Sequence, residues 1–360
     1  MRIGILTIHA AFNYGAMLQA YALQTVLNKL GHDVHIIDYY PKNVERENFM
    51  REFSSNPKQI VKYIYARINP NVQKKIKRFN EFRNQMKTTI RYMDKTELCR
   101  NPPEFDVYMV GSDQVWNLER GFDSFWFLNF IKDKRKISYA SSFGTSTISD
   151  EYDELLKKYL TGFHAISTRE LDGVNIIKSA TGLEATQVLD PTFLLNADEW
   201  ISISSSTIIK GDYILCYGFD ASEKSKLMID SIKKRLKLPI IAISISLAIP
   251  YKADRFIQEA GPCEFLSLIR NAKFVCTSSY HGMAFAIKFR KSFIATIHPY
   301  RNSRMESMIA SFGLENRQIN NPLDILDMND IDLFIDYSSI ETRIESGIAD
   351  SLYWLKSSLL

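Results

Sequence analysis

The strongest constraint on how this chain can fold is an alternation of period. Short apolar runs of strand length alternate with longer segments whose apolar residues recur every three to four positions. Residues 2–8 form the first apolar run, residues 17–30 an amphipathic helix with Gly31 as its stop, and residues 34–39 the next strand. A strand, a helix and a strand joined this closely make a βαβ unit, which implies a parallel sheet with a right-handed crossover. Further strands follow at 107–110, 136–140, 165–168 and 187–189, and Asp190-Pro-Thr192 closes the first half. A polar stretch at 202–207 reads as a linker, and a second alternating half carries strands at 213–217, 240–245, 274–276 and 292–296. The pattern predicts an α/β protein of two doubly wound, Rossmann-like domains, residues 1–200 and 208–335. A ligand cleft is expected between them, at the carboxyl ends of the strands. Residues 336–360 place Ile340, Ile344, Ile348, Leu352, Leu355 and Leu359 on one helical face, and this helix is expected to pack back across the domain junction.

At 360 residues the chain is too long for one ordinary core, which agrees with two domains. No apolar run approaches the roughly 20 residues of a membrane span, and the start of the chain does not read as a signal peptide. Cys99, Cys216, Cys263 and Cys276 are scattered, with no Cys-x-x-Cys pair. That argues against a disulfide framework and a zinc site and points to a cytoplasmic setting. His32, His35 and His164 have no partners at a metal-ligand spacing, so no metal is expected. A formal net charge of +4 implies no polyanionic partner overall. One region breaks the alternation, an insertion at about 44–100. Within it, residues 58–91 carry ten Lys/Arg against one acidic residue, Glu81, with Tyr63, Tyr65, Phe79 and Phe82 interleaved. The insertion reads as helical and basic. It is either a solvated surface or a peripheral contact with anionic membrane, where each basic residue gains about 1 kcal/mol. No recognition motif supports nucleic acid.

Candidate chemistry gathers at strand ends. The strand at 274–276 runs into Thr277-Ser-Ser-Tyr-His-Gly282, and an apolar helix opens near Gly282. The first turn of a helix carries unpaired N–H donors and partial positive charge, so Thr277, Ser278, Ser279 and Gly282 suggest an anion turn. His281 there could touch the anion and move a proton; a capped helix with a partly buried histidine is the competing reading. In Asn13-Tyr-Gly-Ala16, Gly15 permits a tight turn and close backbone approach, so Asn13, Tyr14 and Gly15 either hold a ligand oxygen or pack the helix on the sheet. In Gly111-Ser-Asp-Gln-Val-Trp-Asn117, Asp113, Gln114 and Asn117 offer hydrogen bonds suited to a sugar. Trp116 offers a flat stacking face, against the alternative of a turn around a buried tryptophan. Arg169, in Ser167-Thr-Arg-Glu170, is expected to point toward the cleft mouth, where a guanidinium captures carboxylate or phosphate; an ion pair with Glu170 or Asp172 is the alternative. Arg301-Asn-Ser-Arg304 adds two cations near the His281 turn. His9 and His298, each ending a strand, read as structural or rim-lining.

These motifs in this order, together with Ser138-Tyr-Ala-Ser-Ser-Phe-Gly144 and Asp190-Pro-Thr192, resemble the polysaccharide pyruvyl transferase family from the first strand to about Arg317. The resemblance implies a fold similar to the two-domain GT-B glycosyltransferases. It also implies transfer of pyruvate from phosphoenolpyruvate to two hydroxyls of a sugar, in a cell-surface polysaccharide or its lipid-linked precursor, giving a cyclic ketal. Phosphoenolpyruvate is then a donor substrate, and no cofactor is implied. In the family's pattern Arg169 and His281 belong to the donor site, and Glu170 stands where many relatives carry Asp.

The residues can meet that chemistry. A carboxylate and a phosphate on one donor call for cations and a helix N-terminus, which Arg169, Arg304 and the turn of Thr277, Ser278, Ser279 and Gly282 could supply. His281 is the candidate general acid, a role typically worth ~10²–10⁴-fold. Asp113, then Asp190, are the candidate bases for the acceptor, which would lie near Asn13, Tyr14, Gly15, Gln114, Trp116 and Asn117. Two other readings stay open: a GT-B glycosyltransferase using a nucleotide sugar, with Glu259 or Glu264 on the ribose, and a non-catalytic sugar-binding relative.

Overall fold

The computed structural model describes residues 1–40, 57–296 and 303–360. Residues 44–56 of the basic insertion, His298 and Arg301 lie outside the described residues. Two sheets are present, and every strand pair in them is parallel. The first holds β1 (Arg2–Leu6), β2 (Asp33–Ile36), β3 (Val107–Val110), β4 (Arg135–Ser141), β5 (Ala165–Thr168) and β6 (Thr186–Gln187), in the order β2-β1-β3-β4-β5-β6. The second holds β7 (Ile214–Tyr217), β8 (Ile240–Ile243), β9 (Arg255–Phe256), β10 (Phe274–Thr277) and β11 (Phe293–Ala295), in the order β11-β10-β7-β8-β9. Central strands such as β3, β7, β8 and β10 are buried at every residue, as parallel strands covered on both faces must be. The one strand absent from the sequence reading is β9, a two-residue edge strand with no apolar run to announce it.

The helices that accompany the first sheet are α1 (Tyr14–Lys29), α2 (Pro57–Ile68), α3 (Pro70–Arg83), α4 (Lys95–Arg100), α5 (Asp153–Leu160), α6 (Leu171–Thr181) and α7 (Ala197–Ile203). Those of the second are α8 (Glu223–Leu236), α9 (Pro262–Asn271), α10 (Tyr280–Lys288), α11 (Ser303–Phe312), α12 (Asp324–Asp327) and α13 (Asp330–Leu333), and α14 (Glu341–Leu359) follows. The stretch read as a linker at 202–207 begins inside the last turn of α7.

Each sheet reverses its strand order once. In the first, the chain moves from β1 outward to β2 and then back to β3 on the other side. In the second, the reversal lies between β7 and β10. Loops leaving neighbouring strands at such a point diverge, which opens a crevice outside their carboxyl ends. The two crevices are where the candidate chemistry lies.

The largest apolar cluster runs through both halves without interruption, joining Tyr14 and Phe79 to Tyr217, Phe265 and Phe285. Tyr14 is fully buried there, stacked on Phe265 at 4.9 Å, and its hydroxyl donates to Ala260 O at 3.1 Å. One part of the insertion, on α3, takes part in this junction, while Lys62, Arg67, Lys74, Lys77, Lys87 and Arg91 remain exposed. On α3, Lys75 is buried over the Tyr14 ring and its Nζ donates to Ser244 O. Arg78 donates to Glu259 O at 2.8 Å and pairs with Glu264 at 3.3 Å. Burial lowers the Lys75 ammonium pKa to about 7. Helix α14 touches both halves: Ser351 Oγ accepts from Leu189 N at 2.9 Å, and Glu341 Oε2 accepts from Arg290 Nε at 2.9 Å.

Candidate active site

Arg169 stands one residue beyond β5 and is enclosed. Its Nη1 donates to Asp190 Oδ2 at 3.1 Å and its Nη2 to Asp113 Oδ1 at 3.3 Å. Glu170 Oε2 lies 3.9 Å from its Nε, and the guanidinium sits over the Tyr280 ring at 4.3 Å. None of the side chain is exposed, so the expectation that it points to the cleft mouth is corrected. Burial works against its charge, but Asp113, Asp190 and Glu170 hold the guanidinium pKa above its ordinary value. A buried cation needs counter-charges at close range, and the ends of β3, β5 and β6 supply them.

Asp190 is the hub of this arrangement. Its Oδ1 accepts from Thr192 N at 3.0 Å and Thr192 Oγ1 at 2.8 Å, and its Oδ2 accepts from Ser112 Oγ at 2.8 Å and from Arg169. His281 Nε2 lies 3.7 Å from the same Oδ2, an ion-pair distance that is too long for a hydrogen bond. Burial alone would raise this carboxyl; His281, Arg169 and the Thr192 N–H outweigh it and hold the group well below the usual carboxylate range. Both oxygens face inward and are occupied, which corrects the reading of Asp190 as a base for an acceptor hydroxyl. Its contacts make it a positioning group for Arg169 and His281.

His281 belongs to the second half yet reaches the first. A Cβ added at Gly15 would lie 1.9 Å from His281 Nδ1, so the ring occupies the space a side chain at position 15 would need. The glycine's close approach is thus made to an imidazole. His281 Nε2 is buried and has no hydrogen-bond partner among the described residues. The same holds for Arg169 Nε, Glu170 Oε2 and Arg304 Nε, so polar atoms without partners concentrate around one point.

Glu170 forms a second buried carboxylate. Its Oε1 accepts from Ser142 Oγ at 2.9 Å, Phe143 N at 2.8 Å and Gly144 N at 3.2 Å. Here burial wins: it pushes the Glu170 carboxyl up, and Arg169 and the Gly144 N–H only partly offset it.

The turn after β10 is spent locally. Thr277 Oγ1 donates to Tyr217 O at 2.8 Å and accepts from Ser279 N at 3.0 Å. Ser278 Oγ donates to Gly218 O, and Ser279 Oγ caps α10 by accepting from Gly282 N at 3.4 Å. A Cβ at Gly282 would lie 2.4 Å from Thr277 Oγ1, so this glycine packs the helix onto its own strand. The expectation that Thr277, Ser278, Ser279 and Gly282 present themselves to an anion is therefore corrected: their polar atoms cap and brace the turn, and their reward is the placement of His281.

Beside this hub lies an open cavity of about 860 Å³. Its walls are the loops leaving β1 and β3, at the reversal point of the first sheet. Asn13, Asp113, Gln114 and Asn117 all line it. Asn13 Oδ1 also caps α1 through Ala16 N at 3.2 Å, and Asn117 Oδ1 accepts from Glu119 N at 2.9 Å. Gly144 has φ +77°, and a Cβ there would lie 1.9 Å from Gln114 Nε2, so only glycine leaves room for that amide. Asp113 has φ +80°, an uncommon conformation for a residue with a side chain. Its Oδ1 faces Arg169, while its Oδ2 has no hydrogen bond among the described residues. Asp113 thus stands on the boundary between hub and cavity.

Arg304 is on that boundary too. It lines the cavity, lies 6.0 Å over the Tyr280 ring and makes no ion pair with a carboxylate among the described residues. Burial and the neighbouring Arg169 lower its guanidinium pKa to about 10.

Two acceptor-side expectations are corrected. Tyr14 is sealed in the junction core and does not line the cavity. Trp116 borders the cavity, but it is 1% exposed and stacked on Phe127 at 5.3 Å, with its Nε1 donating to Trp126 O at 3.0 Å, so it offers no open stacking face. The aromatic surfaces available in the cavity are Tyr39 and Trp126, with the Lys95–Asp123 ion pair beside them. His9 lines the wall as well, its Nε2 bonded to Asp38 Oδ1 at 2.9 Å. Sequence reading missed Tyr39, Trp126, Lys95 and Asp123 because they share no motif. The only signal was the aromatic density of 122–130. Of the carboxylates considered for a ribose, Glu264 is committed to Gly261 N at 2.9 Å and to Arg78. Among the described residues no group of three or more His, Cys, Asp or Glu could hold a metal ion. No helix there is long and apolar enough to cross a membrane.

A family model described as polysaccharide pyruvyl transferase matches residues 13–298, which span the Asn13 loop, the Arg169–Asp190 hub and His281. The chain belongs to the polysaccharide pyruvyl transferase family. Membership makes it a transferase of polysaccharide biosynthesis. No curated protein matches. Among solved structures, a putative UDP-N-acetylglucosamine 2-epimerase of Listeria monocytogenes is 9% identical, with a TM-score of 0.50 over 96% of this chain and 90% of its own. An O-GlcNAc transferase mutant of Thermobaculum terrenum is 11% identical (TM-score 0.44) over 99% of this chain but only 64% of its own. An E. coli heptosyltransferase is 10% identical (TM-score 0.42) over 96% of this chain and 100% of its own. The likeness to the Listeria monocytogenes structure speaks to the fold alone.

Proposed function

We propose that this family member transfers pyruvate from phosphoenolpyruvate to two hydroxyls of one sugar, closing a cyclic ketal. The observation that supports this most is Arg304: a guanidinium lining the same cavity as the partly buried Asp113, with no carboxylate ion pair among the described residues. A cation held that way is suited to a donor's phosphate or carboxylate. In this reading His281 gives a proton to the methylene carbon of the donor, and the carbon bearing phosphate becomes electrophilic. Two sugar hydroxyls form two C–O bonds to that carbon, and the C–O bond to phosphate breaks. One hydroxyl proton replaces the one His281 gave, and the other leaves with phosphate. Asp113, through its free Oδ2, is the group placed to take a hydroxyl proton. Arg169 and Asp190 act beneath them, fixing Asp113 and His281. The acceptor sugar lies in the cavity, against Tyr39 and Trp126 and within reach of Asn13, Gln114 and Asn117.

Calorimetric titration tests this. Wild-type protein should bind phosphoenolpyruvate, and Arg304→Ala should weaken it by about tenfold or more, roughly 1.4 kcal/mol. Binding of UDP-sugars with no binding of phosphoenolpyruvate would sink the reading.

A further inference from the structure

Helix α2 turns its apolar side chains outward. Val61, Ile64 and Ile68 are 65%, 51% and 73% exposed, and Ile60 and Tyr65 are 37% and 38% exposed. Ala66, by contrast, is fully buried. At 3.6 residues per turn these five residues share one arc of about 140°, opposite Ala66, and Lys62 and Arg67 stand at its two edges. No Asp or Glu occurs in the helix. Among the described residues, no other helix carries more than one exposed large apolar side chain. The arc is also held in place: Tyr65 Oη accepts from Asn69 Nδ2 at 2.7 Å and from Gln258 Nε2 at 3.2 Å.

We propose that α2 is a membrane-contact helix that lies in the headgroup layer of an anionic bilayer, with Ile60, Val61, Ile64 and Ile68 in the acyl boundary and Lys62 and Arg67 on lipid phosphates. Charge complementarity selects this occupant. An outward apolar arc edged by cations and free of acids matches a surface that is apolar beneath and negative above. A second copy of the chain would set Lys62 and Arg67 of one helix against the same cations of the other. The next helix, α3, adds the exposed Lys74, while its Lys77 pairs with Glu81 at 3.7 Å. The inference stands apart from the donor assignment, because it concerns a surface outside the cavity.

The test is flotation of the full chain with phosphatidylcholine vesicles, with and without phosphatidylglycerol. Wild type should float with the anionic vesicles at low salt and be released at high salt. A Val61→Glu, Ile64→Glu, Ile68→Glu variant should float about tenfold less, and Lys62→Glu with Arg67→Glu should lose the preference for anionic lipid. Unchanged thermal midpoints would show that the variants remain folded, since all five positions are exposed. Wild type that stays unfloated with anionic vesicles at low salt overturns the proposal. So does a triple variant that floats as wild type does, or light scattering that shows a wild-type dimer split by the triple variant.

Discussion

The hub around Asp190 and the cavity around Asp113 lie side by side and are built on opposite principles. In the hub charged groups meet one another across strand ends and solvent is excluded, with Arg169 Nε, Glu170 Oε2 and His281 Nε2 left without hydrogen-bond partners among the described residues: Arg169, Glu170 and Asp190 have no exposed side-chain surface. In the cavity, Asn13, Gln114, Asn117 and Arg304 keep polar atoms directed at open space. The difference separates positioning from contact. Hub residues decide where His281 and Asp113 stand, while cavity residues decide what can be held there. Even within the hub the two carboxylates differ. Asp190 accepts from partners on both oxygens and has its pKa lowered; Glu170 leaves one oxygen without a partner and has its pKa raised.

The comparison can be broken most decisively at Asp190. Asp190→Ala leaves Arg169 and His281 without their shared counter-charge and should cost about 3–5 kcal/mol in urea unfolding. Its contribution is present above the unfolded carboxyl's pKa of about 3.9 and is lost as pH falls through the lower folded value. Unfolding free energy unchanged by the substitution would mean that the hub is not a charge network.

Gly15→Ala comes next. The new methyl must displace the His281 ring, at a cost of about 1–3 kcal/mol. A ring moved by about an ångström can lower turnover on the order of 10²-fold, measured as phosphate release with phosphoenolpyruvate and acceptor. Full activity would show that the Gly15–His281 approach has no role in the chemistry.

Lys75→Met sharpens the contrast from outside the site. The folded pKa of about 7 lies below the ordinary lysine value of about 10.4, so the unfolded chain binds more protons between them. Wild-type stability should therefore gain a rising component with pH from about 7 toward 10, and Lys75→Met should remove it. Parallel stability curves for the two proteins would refute the assignment. The smallest effect is expected at Glu170→Gln. The amide oxygen can accept the same hydrogen bonds, so the change should stay under about 1 kcal/mol in thermal unfolding, far below Asp190→Ala. Equal losses at the two positions would erase the distinction drawn between them.

Much of the fold was legible because parallel strands buried on both faces must be continuously apolar, and the helices between them must be amphipathic. The two-residue strand β9 lacked that signature. Of the candidate residues, Asp113, Gln114, Asn117, Asn13 and Arg304 do line the cavity, since polar residues just after a strand end fall at its mouth. Arg169, Thr277, Ser278, Ser279, Tyr14 and Trp116 were read by side-chain type, and type does not reveal what a side chain meets. A guanidinium suited to a ligand carboxylate is equally suited to Asp190, and a tryptophan able to stack on a sugar stacks as readily on Phe127.

The order of apolar runs and turns by itself determined the two parallel sheets, the strand ends at which chemistry could gather and the family pattern, because these depend on local period and chain order. Only the tertiary structure decided that Asp190 ties Arg169 to His281, which lie 112 positions apart in the chain. It also decided that Gly15 makes room for that histidine, that Lys75 is sealed into the junction, and that Tyr39 and Trp126 face the cavity. These are contacts between groups distant in sequence, and their energies depend on burial and distance, neither of which is written in the neighbours along the chain.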